Sequence, residues 1–122
     1  MGSFSTARSP GMIVRRGEVW WATLPEPRGS GPGSRRPVVL VQADPFNRSR
    51  VRTVIVAAVT TNLSLADAPG NVGLDESEGG LPHPSVVNVS QLLTIDKAYL
   101  DDTLGSLSAE RMQEIDAGLR LA

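Results

Sequence analysis

The stretch Arg35-Arg36-Pro37-Val38-Val39-Leu40-Val41 constrains this chain more than any other. Four consecutive large apolar residues, three of them β-branched, describe a strand buried on both faces rather than one that is half exposed. Proline is tolerated at the start of a strand, where its missing N–H matters least. The sequence therefore sets a guanidinium, that of Arg36, at the rim of a rigid β core. A second apolar run, Thr53-Val54-Ile55-Val56-Ala57-Ala58-Val59-Thr60, follows a short turn beginning at Asp44-Pro45. Two such strands in succession predict an antiparallel pair at the centre of a small barrel. In that hairpin the ends away from the turn fall on one edge, so Arg36 and Thr60 become neighbours. A fixed guanidinium beside a hydroxyl makes an anion site suited to a phosphodiester.

The other elements are shorter. Residues 14–24 predict a first strand in which Trp20, Ala22 and Leu24 share one face and Val19, Trp21 and Thr23 the other. Either both tryptophans are packing residues, or one anchors the core and the other serves a second surface, such as a subunit interface. Residues 25–34 hold three prolines and three glycines and exclude regular structure. Residues 63–68 fit one helical turn, 71–74 and 85–89 strands, 92–95 a continuation after a bend, and 103–107 a last strand. Ser108 is a good N-cap for a final helix, with Leu107 and Met112 as a hydrophobic staple and Met112, Ile115, Leu119 and Ala122 on its apolar stripe. Gly118 weakens that helix by roughly 1 kcal/mol relative to alanine. Several short strands closed by one helix predict a mainly β fold, a small barrel with a C-terminal α-helix packed on it.

A chain of 122 residues is one domain by size. Residues 1–11 read as a flexible N-terminal arm or a non-native remnant, with Met12 as a natural start and 12–122 as the domain. No run approaches the roughly 18 apolar residues of a membrane span, so no membrane association is expected. The chain has no cysteine, which rules out disulfides and thiolate metal sites and suits a cytoplasmic location. Its net charge is −1, but the charges are segregated. Residues 1–52 hold nine arginines against three acids, and residues 53–122 hold three cations against ten acids. Such asymmetry points to a polyanionic partner, and arginine forks onto phosphate better than lysine does.

Other chemistries find little support. His83 is the only histidine, in a Leu81-Pro82-His83-Pro84-Ser85 loop without a nucleophile-elbow pattern. The carboxylate pairs Asp75/Glu76 and Asp101/Asp102 lie in polar stretches and read as solvated, so neither a metal site nor a cofactor is expected. No phosphate-binding loop or dinucleotide fingerprint is present.

Five blocks, Gly17-Glu18-Val19-Trp20, Arg36-Pro37-Val38-Val39-Leu40-Val41, Ala57-Ala58-Val59-Thr60, Ser85-Val86-Val87 and Gln91 with Thr94-Ile95-Asp96-Lys97, follow in an order that resembles the MazF/PemK toxins. These are the endoribonuclease (mRNA interferase) components of type II toxin–antitoxin pairs. The resemblance spans about residues 13–121 and implies an SH3-like barrel of the MazF/PemK/CcdB kind. It also implies a homodimer whose groove takes single-stranded RNA, and metal-independent, sequence-selective cleavage by 2′-OH attack on the adjacent phosphate. A further implication is a cognate antitoxin with a flexible acidic segment that occupies the same groove. By position it assigns catalysis to Arg36 and Thr60 and puts Gln91 near the substrate channel. Arg35, Gly29, Ser30, Asn47, Thr61 and His83 complete the expected RNA-binding set, and Phe46 is either a stacking platform or a core residue.

Several members of that family carry an acid in the loop before the arginine, whereas residues 29–34 here hold none. Guanidinium is a poor base, so Arg36 is cast as stabiliser of the phosphorane charge and Thr60 as the holder of a non-bridging oxygen. The proton acceptor for the 2′-OH is left between His83 and a phosphate-bound water. Two other readings stay open on sequence alone: a non-catalytic nucleic-acid-binding module of SH3-like fold, and a toxin of related fold that poisons a DNA topoisomerase by protein contact.

Overall fold

The computed structural model describes residues 13–24 and 34–121. Six strands form one antiparallel sheet: β1 (Glu18–Leu24), β2 (Ser34–Leu40), β3 (Thr53–Thr60), β4 (Val72–Leu74), β5 (Ser85–Asp96) and β6 (Leu100–Ser106). Their spatial order is β4-β5-β3-β2-β1-β6, curled into a half-barrel. The expected central pair is central: β2 and β3 occupy the middle of the sheet. A single helical turn, α1 (Asp44–Asn47), lies in the connection between them. The C-terminal helix is α2 (Ala109–Leu121), and 3₁₀ turns occupy Leu63–Asp67, Glu78–Gly80 and Lys97–Tyr99. Among the described residues no helix is long and apolar enough to cross a membrane.

Strand alternation divides the apolar residues between the two faces of the sheet. Val19, Val39, Ala57, Val59, Val87 and Val89 pack with Met112 and Ile115 of α2. Trp20, Ala22, Val38, Leu40, Val54 and Val56 pack with Val14, Ile95 and Leu100 in the second core. Val38, Val39 and Leu40 are wholly inaccessible, as a strand buried on both faces requires. Trp20 is a core residue whose Nε1 donates to Glu18 Oε1 at 3.0 Å, while Trp21 faces the opposite way and is half buried.

Two expectations shift. The last strand starts at Leu100 rather than 103, because Leu100 and Asp102 pair with Ala22 and Trp21 of β1, with Asp101 an extra residue between them. The bend expected between residues 89 and 92 is a bulge inside one continuous strand. Ala57 pairs with Leu92 and Ala58 with Asn88, so Val89, Ser90 and Gln91 are extra residues on β5. Asn71 supports this bulge by accepting from the Val89 N–H at 3.0 Å and donating to the Leu65 carbonyl at 2.9 Å.

Helix α2 begins as its cap residue predicts, with the Ser108 hydroxyl accepting the Arg111 N–H at 3.1 Å. Gly118, unfavourable for helix propensity, is required by packing. A Cβ there would stand 2.1 Å from the Gly70 carbonyl oxygen. The stripe residue Ala122 lies outside the described residues.

Candidate active site groove

The groove opens where two strands part. β2 pairs with β1 from Ser34 to Val39, but with β3 only from Val38 to Leu40. Pro37 brings no N–H to a ladder, and beyond it β2 stays with β1 and leaves β3. The β2–β3 register Val38↔Ala58, carried two residues outward, sets Arg36 opposite Thr60. Both line a cavity of about 370 Å³ between the sheet, the Leu63–Asp67 turn and the loop carrying His83.

The floor belongs to the face that holds the second core, and it changes there from apolar to polar. Val38 is followed by Arg36, Ala58 by Thr60, and Val86 by Asn88. Ala58, 4% exposed, is small enough to leave an open floor between Arg36 and Asn88. Among the described residues the Arg36 side chain has neither ion pair nor hydrogen-bond partner, and it is exposed. The Thr60 hydroxyl accepts the Asn62 N–H at 3.1 Å, which leaves its own proton to donate. Asn62 in turn caps the Leu63–Asp67 turn through Ser64 N–H and Oγ.

Arg35, adjacent in sequence, has a different setting. Its guanidinium lies over the Trp21 ring, 4.7 Å from the centroid. It pairs with Asp102 at 3.1 Å and reaches Asp101 at 3.5 Å. Asp101 is also held by the Thr23 hydroxyl at 2.5 Å. The carboxylate pair read as solvated is thus an anchor for the groove wall.

Of the expected site residues, Arg35, Arg36, Thr60, Thr61, His83 and Gln91 converge on this groove. His83 sits on a loop that Ser85 fastens by donating from Oγ to the His83 carbonyl at 2.8 Å. Gly29 and Ser30 lie outside the described residues. Asn47 is elsewhere: it is 3% exposed at the hairpin turn, its amide donating to the Gln42 carbonyl and Asp44 Oδ1 and accepting from Gln42. Its carbonyl also accepts from the buried Lys97 ammonium at 3.3 Å. Phe46 is 60% exposed on α1 and does not line the groove; the aromatic that does is Trp21. Asn88 was not anticipated. Its only sequence signal is one amide amid the valines of Val86-Val87-Asn88-Val89.

Residues 15–122 match the profile of a family described as "PemK-like, MazF-like toxin of type II toxin-antitoxin system". The chain belongs to this family of toxins. Among curated relatives of this MazF-like chain, Endoribonuclease MazF6 of Mycobacterium tuberculosis (strain ATCC 25618 / H37Rv) is 48% identical over 109 residues, covering 89% of this chain and 96% of the relative. Endoribonuclease EndoA of Bacillus subtilis (strain 168) is 39% identical over 111 residues, covering 91% and 95%. A solved mycobacterial endoribonuclease in complex with its cognate antitoxin superposes with a TM-score of 0.71 at 26% identity, covering 90% of this chain and 94% of that one. The mainly β MazF-like fold expected from the sequence is thereby established.

Proposed function

We propose that this MazF-like toxin cuts single-stranded RNA in the groove at short recurring sequences, as a cytoplasmic homodimer, and is silenced by a cognate antitoxin that covers the groove. Two relatives carry the name endoribonuclease over nearly their full length, and a neighbour of the same fold was solved with its antitoxin. The observation that carries the reading is the Arg36 guanidinium, unpaired among the described residues, set by the strand register opposite Thr60 on the groove floor.

In this mechanism the ribose 2′-OH attacks the adjacent phosphorus and the bond from phosphorus to the 5′ oxygen breaks, leaving a 2′,3′-cyclic phosphate and a 5′ oxygen that takes up a proton from water. Arg36 binds the charge that develops on the phosphorane and donates toward the leaving oxygen, where a preorganised donor is worth most. Thr60 donates its remaining proton to a non-bridging oxygen. His83, on the rim of the same groove, carries an imidazole nitrogen that can take a proton and is the acceptor we assign for the 2′-OH proton. The cleft wall formed by Trp21 and Arg35 offers a stacking surface for an unstacked base.

Primer extension on a long RNA in EDTA, with wild type beside Arg36→Ala, tests this directly. Discrete cuts at a recurring short sequence, lost in the variant, support the reading. Salt-dependent RNA binding without cleavage would replace it with a binding module, and toxicity that persists without Arg36 and Thr60 would replace it with the topoisomerase poison.

A further inference from the structure

Asn88 occupies the last paired position of β5 before the bulge, opposite Ala58. Strand alternation sends Val87 and Val89 into the core under α2 and Asn88 the other way, into the groove, where it is half buried. Its amide is held in one orientation. Oδ1 accepts the Ser90 N–H at 3.3 Å and the Ser90 hydroxyl at 2.7 Å. A backbone N–H only donates, so the atom facing Ser90 is the oxygen, and Nδ2 has no acceptor among the described residues of the groove that Asn88 lines. Gln91 also lines the groove, but it is exposed and no hydrogen bond among the described residues fixes its amide, so it can turn to offer either end.

We infer that Asn88 is a specificity-determining residue that donates from Nδ2 to the keto oxygen of one RNA base, favouring guanine or uracil over adenine or cytosine at that position. This inference rests on the ribonuclease reading above. Guanine O6 and uracil O4 accept hydrogen bonds, whereas adenine and cytosine present an amino group there and would meet Nδ2 donor to donor. Single-stranded RNA exposes these base edges to side chains. Because Ser90 holds the amide oxygen, the amide cannot rotate to accept from an amino base. The groove is thereby biased by a residue remote in sequence from Arg36 and Thr60.

The test is the distribution of 5′ ends produced from a long RNA of mixed sequence by wild type, Asn88→Asp and Ser90→Ala. Wild type should cut at a motif with one position restricted to guanine or uracil. Asn88→Asp keeps the shape and both bonds from Ser90 but replaces the donor with an acceptor. The keto-to-amino ratio at that one position should fall by about tenfold, the worth of one hydrogen bond, with other motif positions unchanged. Ser90→Ala, at an exposed residue, leaves the amide held by the 3.3 Å backbone contact alone and should relax the same position several-fold. If Asn88→Asp does not fold, the Ser90→Ala profile decides. A wild-type motif with no keto-restricted position, or profiles unchanged in the variants, overturns the assignment of Asn88. Absence of cutting by wild type overturns the ribonuclease reading itself.

Discussion

Arg35 lies over the indole of Trp21, its guanidinium carbon 4.7 Å from the ring centroid, and is held there by Asp102 at 3.1 Å. Arg36, the next residue, faces the floor of the groove and has no partner among the described residues. Successive residues of a strand point to opposite faces, so one Arg-Arg pair supplies both a wall and an exposed guanidinium at the groove floor. Arg35 shapes the groove, while Arg36 is available to a ligand.

Arg36→Ala is expected to lower kcat for RNA cleavage by about 10²–10³, the usual effect of losing one donor to a developing charge. Arg36→Lys should recover only part of this, because an ammonium cannot reproduce the planar two-pronged contact. An exposed arginine without partners among the described residues contributes little to folding, so the thermal midpoint should be unchanged in both variants. A midpoint that fell together with activity would reassign Arg36 to a structural role.

Thr60 is tested by the pair Thr60→Ser and Thr60→Val. Serine retains the hydroxyl that accepts the Asn62 N–H and should keep most of the activity. Valine leaves that N–H without its partner and removes the donor to the phosphate, and kcat should fall about tenfold or more. Equal single-turnover rates for the two variants would remove Thr60 from the mechanism.

Asp101→Asn with Asp102→Asn releases Arg35 from both carboxylates. RNA affinity at low salt should rise. The slope of log affinity against log salt should also steepen by about 0.7, one additional phosphate contact on a single strand. These are exposed or edge-strand groups, and surface pairs contribute at most about 1 kcal/mol, so the fold should persist. A binding titration at three salt concentrations with an unchanged slope would show that Arg35 does not reach RNA.

Glu78 is held below the ordinary glutamate value of 4.5, first by the side-chain bonds from Arg111 and then by the Asp75 N–H. These bonds are Arg111 Nε to Oε2 and Nη2 to Oε1, both at 2.9 Å, and Asp75 N–H to Oε1 at 2.6 Å. A carboxylate with a lowered folded-state pKa contributes stability that is complete above 4.5 and is lost as pH falls through its folded value. Glu78→Gln should therefore lower the thermal midpoint at pH 7, and the difference from wild type should shrink steadily below about pH 4.5. A constant difference down to pH 2 would contradict the linkage.

Gly118→Ala sets two effects against each other. Helix propensity favours alanine by roughly 1 kcal/mol, but the new Cβ would stand 2.1 Å from the Gly70 carbonyl oxygen. The neighbour is backbone and cannot rotate away, so strain of about 1–3 kcal/mol should prevail. Thermal unfolding should show a midpoint several degrees below wild type, and a higher midpoint would show that the 68–71 turn yields.

Much of this was decided by local patterns that report directly on burial. The β-branched runs around Val38 and Val56 specified the central strand pair. Because hairpin register follows from counting along two antiparallel strands, Arg36 and Thr60 could be set together from sequence. Ser108 and the Met112/Ile115 spacing specified α2. Asn47 and Asn88 show where that reasoning stops. Both are polar residues near turns or strand ends, yet one is buried in a hydrogen-bond cluster and the other opens onto the groove. Their fates depend on contacts formed across the fold, with Gln42, Asp44 and Lys97 for Asn47 and with Ala58 and the bulge for Asn88. The bulge itself depends on Asn71 and Leu65 arriving from another element. Sequence periodicity determined which residues are buried in strands and helices, since burial follows the 2.0 and 3.6 repeats. Only the tertiary structure decided which polar groups face one another, because hydrogen-bond partners distant along the chain leave no periodic signal.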